Sequence, residues 1–154
     1  MLNLKNVTLV AITSVKLEKT IKALEYSCRG INFGSVKLVS DEKPQNLPEF
    51  IKHESCPKMS NIDEWNYAAI YELPKHVDTE FAMLIHDDGF VVNPDSWQDD
   101  FLNYDYIGAP FNKNSDDTPV PRLYLTYIRT LMLTYEQYIL VHFSLYPFHS
   151  LIRR

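Results

Sequence analysis

Residues 7 to 14, VTLVAITS, form an unbroken apolar run rich in β-branched side chains, the pattern of a strand buried on both faces of an α/β sheet. The period then changes. In VKLEKTIKALEYSC, Leu17, Ile21, Leu24 and Cys28 recur at helical spacing with Lys and Glu between them, which predicts an amphipathic helix over 15–28. SVKLVSDEKP, residues 35 to 44, alternates Val36 and Leu38 and stops at a proline, predicting a second, parallel strand. Residues 44 to 60 hold three prolines and read as loop. Ser60 with Asp63 three positions on is a variant of the capping box. Ile62, Trp65, Ala69 and Leu73 then follow at helical spacing up to Pro74, predicting a helix over 61–73. EFAMLIHDD is a third buried strand that ends in two acids. Beyond it, GFVVN reads as a short strand, Pro94 as the start of a turn or a single helical turn, and YDYIGAP as an edge segment. Strands alternating with helices predict an α/β fold with a mainly parallel sheet and flanking helices.

A chain of 154 residues, 45% hydrophobic and 13% aromatic, is enough for one domain with a core of its own. Its net charge of −5 argues against nucleic acid as a partner, since phosphate backbones are bound by basic faces. Cys28 and Cys56 stand apart, with no CxxC or CxxH neighbour, so reduced thiols in a cytoplasmic protein are the expectation. The N-terminus lacks the features of a signal peptide, and no uninterrupted apolar run approaches the roughly 18 residues that span a bilayer.

Charge divides the chain unevenly. Up to Pro121 acids outnumber bases 19 to 11, whereas from Arg122 onward bases outnumber acids 4 to 1. The segment 122–154 is rich in Leu and Tyr, has no Gly, Asp, Asn or Lys, and shows no clean period. It is therefore set apart from a domain over 1–121. It reads as a terminal helix packed on the sheet, as a segment lying on a membrane surface through Tyr with Arg153 and Arg154 as anchors, or as a stretch out of the native reading frame.

The candidate chemistry lies in AMLIHDDGFVVNPDSW, residues 82 to 97. His86, Asp87 and Asp88 end an apolar strand, a support suited to a hard divalent cation such as Mg²⁺ or Mn²⁺. An Asp-Gly pair between two apolar runs is equally a hairpin signal. Location favours a ligand, because parallel α/β sheets bind ligands outside the carboxyl ends of their strands. Walker, GxGxxG, GxSxG and HExxH motifs are absent from the sequence, which removes P-loop NTPase, Rossmann dehydrogenase, α/β-hydrolase and zincin readings.

MLIHDDGFVVNPDSWQDDFLNYDYIGAP, residues 83 to 110, resembles the signature of a glycosyltransferase-like family catalogued as a domain of unknown function: a DGF-x-(V/I/L)-N-P segment, a Trp, then F-L-x-YDYIGAP. The match covers about 28 residues; VTLVAITS is compatible with the family's first strand. The family's third block, Gly-Asn-Gly-Gly-Phe-Ser-like, is missing. The resemblance implies a Rossmann-like GT-A fold truncated in its C-terminal half. It also implies a nucleotide-sugar donor held through Mn²⁺ or Mg²⁺, and a glycan or other hydroxyl acceptor. Asp88 matches the Asp of the family's DGF and becomes the principal metal ligand, assisted by Asp87 and His86; the usual D-x-D is here H-D-D. Thr13 and Ser14 at the end of the first strand, Asp41 at the end of the second, Asn66 and Tyr67 on the second helix, Asp87 beside the metal ligand, and Trp97 become candidate substrate-binding residues. Each has an ordinary alternative as helix cap, loop polar group or core aromatic. Asp105 and Asp99 are weak candidates for the catalytic base. Two rivals stand beside this reading: a non-catalytic remnant or binding module of the same fold, and a metal-dependent phosphoesterase or nuclease using the acidic pair.

Overall fold

A computed structural model describes residues 1–107 and the backbone of 150–153. Its elements are β1 (Leu2–Ile12), α1 (Leu17–Ser27), β2 (Ile31–Ser40), β3 (Lys52–Ser55), α2 (Ile62–Tyr67), β4 (Phe81–Ile85), β5 (Tyr106–Ile107) and β6 (Ser150–Arg153). They build one sheet in the order β3-β2-β1-β4-β6-β5. The first four are mutually parallel, and β6 runs antiparallel to both β4 and β5. The expected α/β architecture with a parallel sheet and flanking helices is thus present.

The unbroken apolar runs have two faces to fill. Leu9, Ala11, Leu38, Met83 and Ile85 pack with Ile21 and Leu24 of α1. The alternating set Val10, Ile12, Val39 and Leu84 packs with Trp65, Ala69 and Leu73 on the other side. A strand sandwiched this way favours apolar residues at both phases, which is why β1 and β4 read as runs rather than alternation, while β2 also buries Ser35, Lys37 and Ser40. Leu9, Ile12, Leu24, Leu38, Leu73 and Ile85 are fully buried, each contributing about 1.5–3 kcal/mol of transfer free energy.

Three elements differ from expectation. β3 lies inside the segment read as loop. Its sequence, KHES, has no apolar pattern because it is an edge strand, paired only with β2 over Lys37↔Lys52 to Ser40↔Ser55. The second helix is capped one residue later than expected. Asn61 Oδ1 accepts from the amides of Asp63 and Glu64, while Glu64 reaches back to the Ser60 amide. It also changes pitch. Residues 68–72 form a π turn in which the Leu73 amide bonds to the Ala68 carbonyl, and residues 73–76 tighten to a 3₁₀ turn. Pro74 supplies no N–H, so the α ladder cannot continue past it. Finally, no strand forms over GFVVN. The chain instead runs back along α1: the Val91 amide bonds to Ser27 Oγ and Pro94 approaches Gly30. Pro94 does begin the expected single helical turn, over 94–96, and Tyr106–Ile107 is the expected edge segment.

Two positions are held by something other than apolar burial. Between Leu4 and Thr8 the β1–β2 register slips opposite Gly34; a Cβ there would stand 2.2 Å from the Lys5 carbonyl oxygen, so only glycine fits the close approach. Lys37 is 3% exposed yet charged. Its ammonium donates to Glu54 on β3 and, at 2.9 Å, to Asp78 ahead of β4, while Glu54 also bonds to His76 Nδ1. Burial opposes ionisation of both Lys37 and Glu54, but their mutual bonds outweigh it, raising the lysine pKa and lowering that of the glutamate.

Of the segment 122–154, the four described residues form β6, and the remainder, with Gly108 to Pro121, lies outside the described residues. Among the described residues no helix is long and apolar enough to cross a membrane. Both cysteines are free. Burial, with Glu25 nearby, pushes the Cys28 thiol up to about 11, and burial with Asp41 raises that of Cys56.

Candidate functional site at the strand ends

β1 and β4 are adjacent and parallel, so their carboxyl ends, Ile12 and Ile85, come out on the same edge of the sheet. Residues 13 to 16 carry the chain from β1 into α1. Thr13 Oγ1 donates to the Val15 carbonyl at 2.6 Å and accepts from the Val15 amide at 3.1 Å, folding the chain back on itself. Lys16 then takes a left-handed conformation, φ 52°, uncommon for a residue with a side chain. Its carbonyl accepts from the amides of Lys19 and Thr20 to begin the helix.

Opposite, the end of β4 closes into a tight turn. His86 N–H donates to the Gly89 carbonyl at 2.9 Å and Gly89 N–H to the His86 carbonyl at 3.4 Å, leaving Asp87 and Asp88 at its tip. HDDG is thus a two-residue turn centred on Asp87-Asp88 rather than an Asp-Gly hairpin, and it stands at the strand ends beside β1. Lys16 Nζ reaches across to Asp87 Oδ2 at 2.9 Å; the lysine side chain is 55% exposed and the aspartate 18%. Asp87, by accepting the ammonium's hydrogen bond and by its charge, raises the Lys16 pKa against desolvation, and the charge of Asp88 adds a smaller push in the same direction. Asp88 is exposed.

His86 turns inward. Its ring lies 4.6 Å from the Trp65 ring, tilted by 49°, and Trp65 Nε1 donates to the Ile12 carbonyl at 2.8 Å. Trp65 thereby ties α2, the end of β1 and the HDDG turn together. Burial lowers the His86 pKa despite the neighbouring charges of Asp88 and Asp87.

The residues expected to hold a metal thus do not converge on one point. Asp87 is engaged by Lys16, His86 packs on Trp65, and among the described residues no group of three or more His, Cys, Asp or Glu side chains could hold a metal ion. The set His86, Asp87 and Asp88 does not fit a divalent cation with three protein donors.

The remaining candidates divide. Thr13 and Ser14 are at the site's edge, but their hydroxyls have structural work: Thr13 closes its own turn and Ser14 Oγ accepts the Met59 amide at 2.9 Å. Asp41 follows the end of β2, half-buried. Asn66 is half-buried; Tyr67 is exposed and pairs with Tyr71, ring centroids 4.9 Å apart. Trp97 is not part of the site. It comes after the chain has returned to Gly30, where β2 begins, and there it bonds Asp99 at 3.1 Å and packs edge-on against Phe101. Asp99 goes with it. Asp105 also lies elsewhere, since Tyr106 is level with Ala82 across β6. That places Asp105 beside the start of β4, roughly 20 Å along the strand direction from Asp87.

Two residues that sequence reasoning did not single out complete the site. Trp65 was legible only as one position of an apolar helix stripe, and Lys16 as one of several lysines beside a helix; no local pattern marks either. Compared with protein-family models and with curated proteins, the chain matches none.

Proposed function

We propose that this chain binds a nucleotide-sugar at the carboxyl ends of β1 and β4, as the donor site of a GT-A-like glycosyltransferase whose acceptor is a glycan or another hydroxyl compound. One observation carries the reading: the DGF aspartate of the motif resemblance, Asp88, is exposed at the tip of a turn at the carboxyl end of β4, beside the β1–α1 connection. In parallel sheets, that crevice outside the strand ends is where phosphate-bearing ligands bind. The strand order β3-β2-β1-β4 puts β1 at the centre of a parallel half-sheet, the place for a nucleotide in such folds.

The site's chemistry is compatible with donor binding. Lys16 supplies a mobile positive charge for phosphate oxygens. His86, packed at a tilt on Trp65, gives the turn an aromatic base. Asp88 offers an acceptor for donor hydroxyls.

A thermal-shift panel of UDP, GDP, ADP and CDP, each with EDTA or Mn²⁺, tests the reading. A ligand that binds only the folded chain raises the apparent melting temperature by mass action. One nucleoside diphosphate should stabilise the parent protein, and Asp88→Asn should weaken or abolish that shift while leaving the apo melting temperature within a degree or two, about what an exposed side chain is worth. Equal shifts in the parent and Asp88→Asn would remove Asp88 from the site.

A further inference from the structure

The disagreement between the expected metal ligands and the observed geometry points to a different cation. We propose that Lys16 is the resident positive charge of the strand-end site, held on Asp87 in the place a divalent ion would occupy, so that diphosphate binding by this chain is metal-independent. This rests on the donor-site reading above.

Three observations converge. Asp87 already spends its carboxylate on Lys16 at 2.9 Å, across two elements that the chain brings together only through the β1–β4 pairing. A divalent ion bound to Asp87 would have to displace that ammonium or sit against it, and like charges at ligand distance repel strongly. The backbone places Lys16 at the junction of the two elements: it adopts the left-handed conformation that ends the Thr13 turn and begins α1. Finally, the third expected donor packs its ring on Trp65, and among the described residues no three acidic, His or Cys side chains are grouped to hold a metal ion. Lysine is suited to the role because it acts as a point charge on a flexible stem and can lean from carboxylate to phosphate without leaving the site. Asp87 is on this account a positioning residue for Lys16, and Asp88 is left to the donor's hydroxyls.

The test uses the full chain, with Lys16→Gln and Lys16→Arg, and two separate readouts. The first is nucleoside diphosphate binding by calorimetry in EDTA and in Mn²⁺. The parent should bind in EDTA and gain less than about twofold from Mn²⁺; Lys16→Gln should lose roughly tenfold in EDTA, and Lys16→Arg should keep most of the affinity. The second readout is Mn²⁺ alone, followed by the paramagnetic resonance of the free ion. The parent should not deplete it, whereas Lys16→Gln, with Asp87 and Asp88 freed, should begin to. Lys16 is exposed, so apo thermal unfolding of both variants should match the parent. Nucleotide binding by the parent only in Mn²⁺, or unchanged affinity of Lys16→Gln in EDTA, would overturn the proposal while leaving the donor site standing. No nucleotide binding under either condition overturns the donor-site reading and this proposal with it.

Discussion

Burial against Trp65 lowers the His86 pKa, so the folded chain takes up that proton less readily than the unfolded chain, where the ring titrates near about 6.5. Linkage gives the sign. Above the unfolded value neither state is protonated and His86 has no effect on the pH dependence. As pH falls below it, the unfolded state gains protons first and stability declines, until the folded pKa is also passed. Urea unfolding of the parent at pH 7, 6 and 5 should therefore lose stability with acid, and His86→Phe, which keeps a ring on Trp65, should flatten that slope. Parallel slopes in the two proteins would show that the ring is not the titrating group. The HDDG motif announced acidic chemistry at a strand end, but nothing in four letters says which side chain turns inward. That is decided by Trp65, 21 positions earlier, and the periodic pattern identified Trp65 only as core.

The elements that were legible are those whose burial is symmetrical or strictly periodic. β1 and β4 bury apolar residues on both faces, β2 alternates Val36 and Leu38, and α1 and its C-cap present Leu17, Ile21, Leu24 and Cys28 to one cluster. On α2 the stripe was read one residue too far, for Trp65, Ala69 and Leu73 are buried but Ile62 is exposed. β3 escaped because an edge strand made of Lys52, His53, Glu54 and Ser55 draws its stability from backbone pairing and from ion pairs that only the assembled sheet creates. The buried Lys37 ammonium makes one of these ion pairs, with Glu54. Lys37→Met removes the cation and leaves Glu54 and Asp78 facing each other without it; since both acids keep partial access to water, a loss of about 1–2 kcal/mol is expected. Chemical denaturation measures it at neutral pH. A variant as stable as the parent would show that β3 is held by its main-chain bonds alone.

Across the whole molecule, protection should follow position in the sheet rather than position in the sequence. β1 lies between β2 and β4 with both faces covered, whereas β3 has one neighbour and a polar sequence. Hydrogen exchange should find the amides of Leu9 to Ile12 and Met83 to Ile85 among the slowest and those of Lys52 to Ser55 much faster. Similar rates for β3 and β1 would mean that the sheet opens as one unit. The antiparallel pairing of β4 with β6 has a kinetic side as well. β1, α1, β2 and β4 can assemble from the first 85 residues, but the described partner for the outer edge of β4 is drawn from residues 150 to 153. Until a strand pairs there, such an edge accepts any extended chain of suitable pattern, and a nascent neighbour on the same messenger is the nearest supply. β6 therefore acts as a guard against cross-pairing between copies.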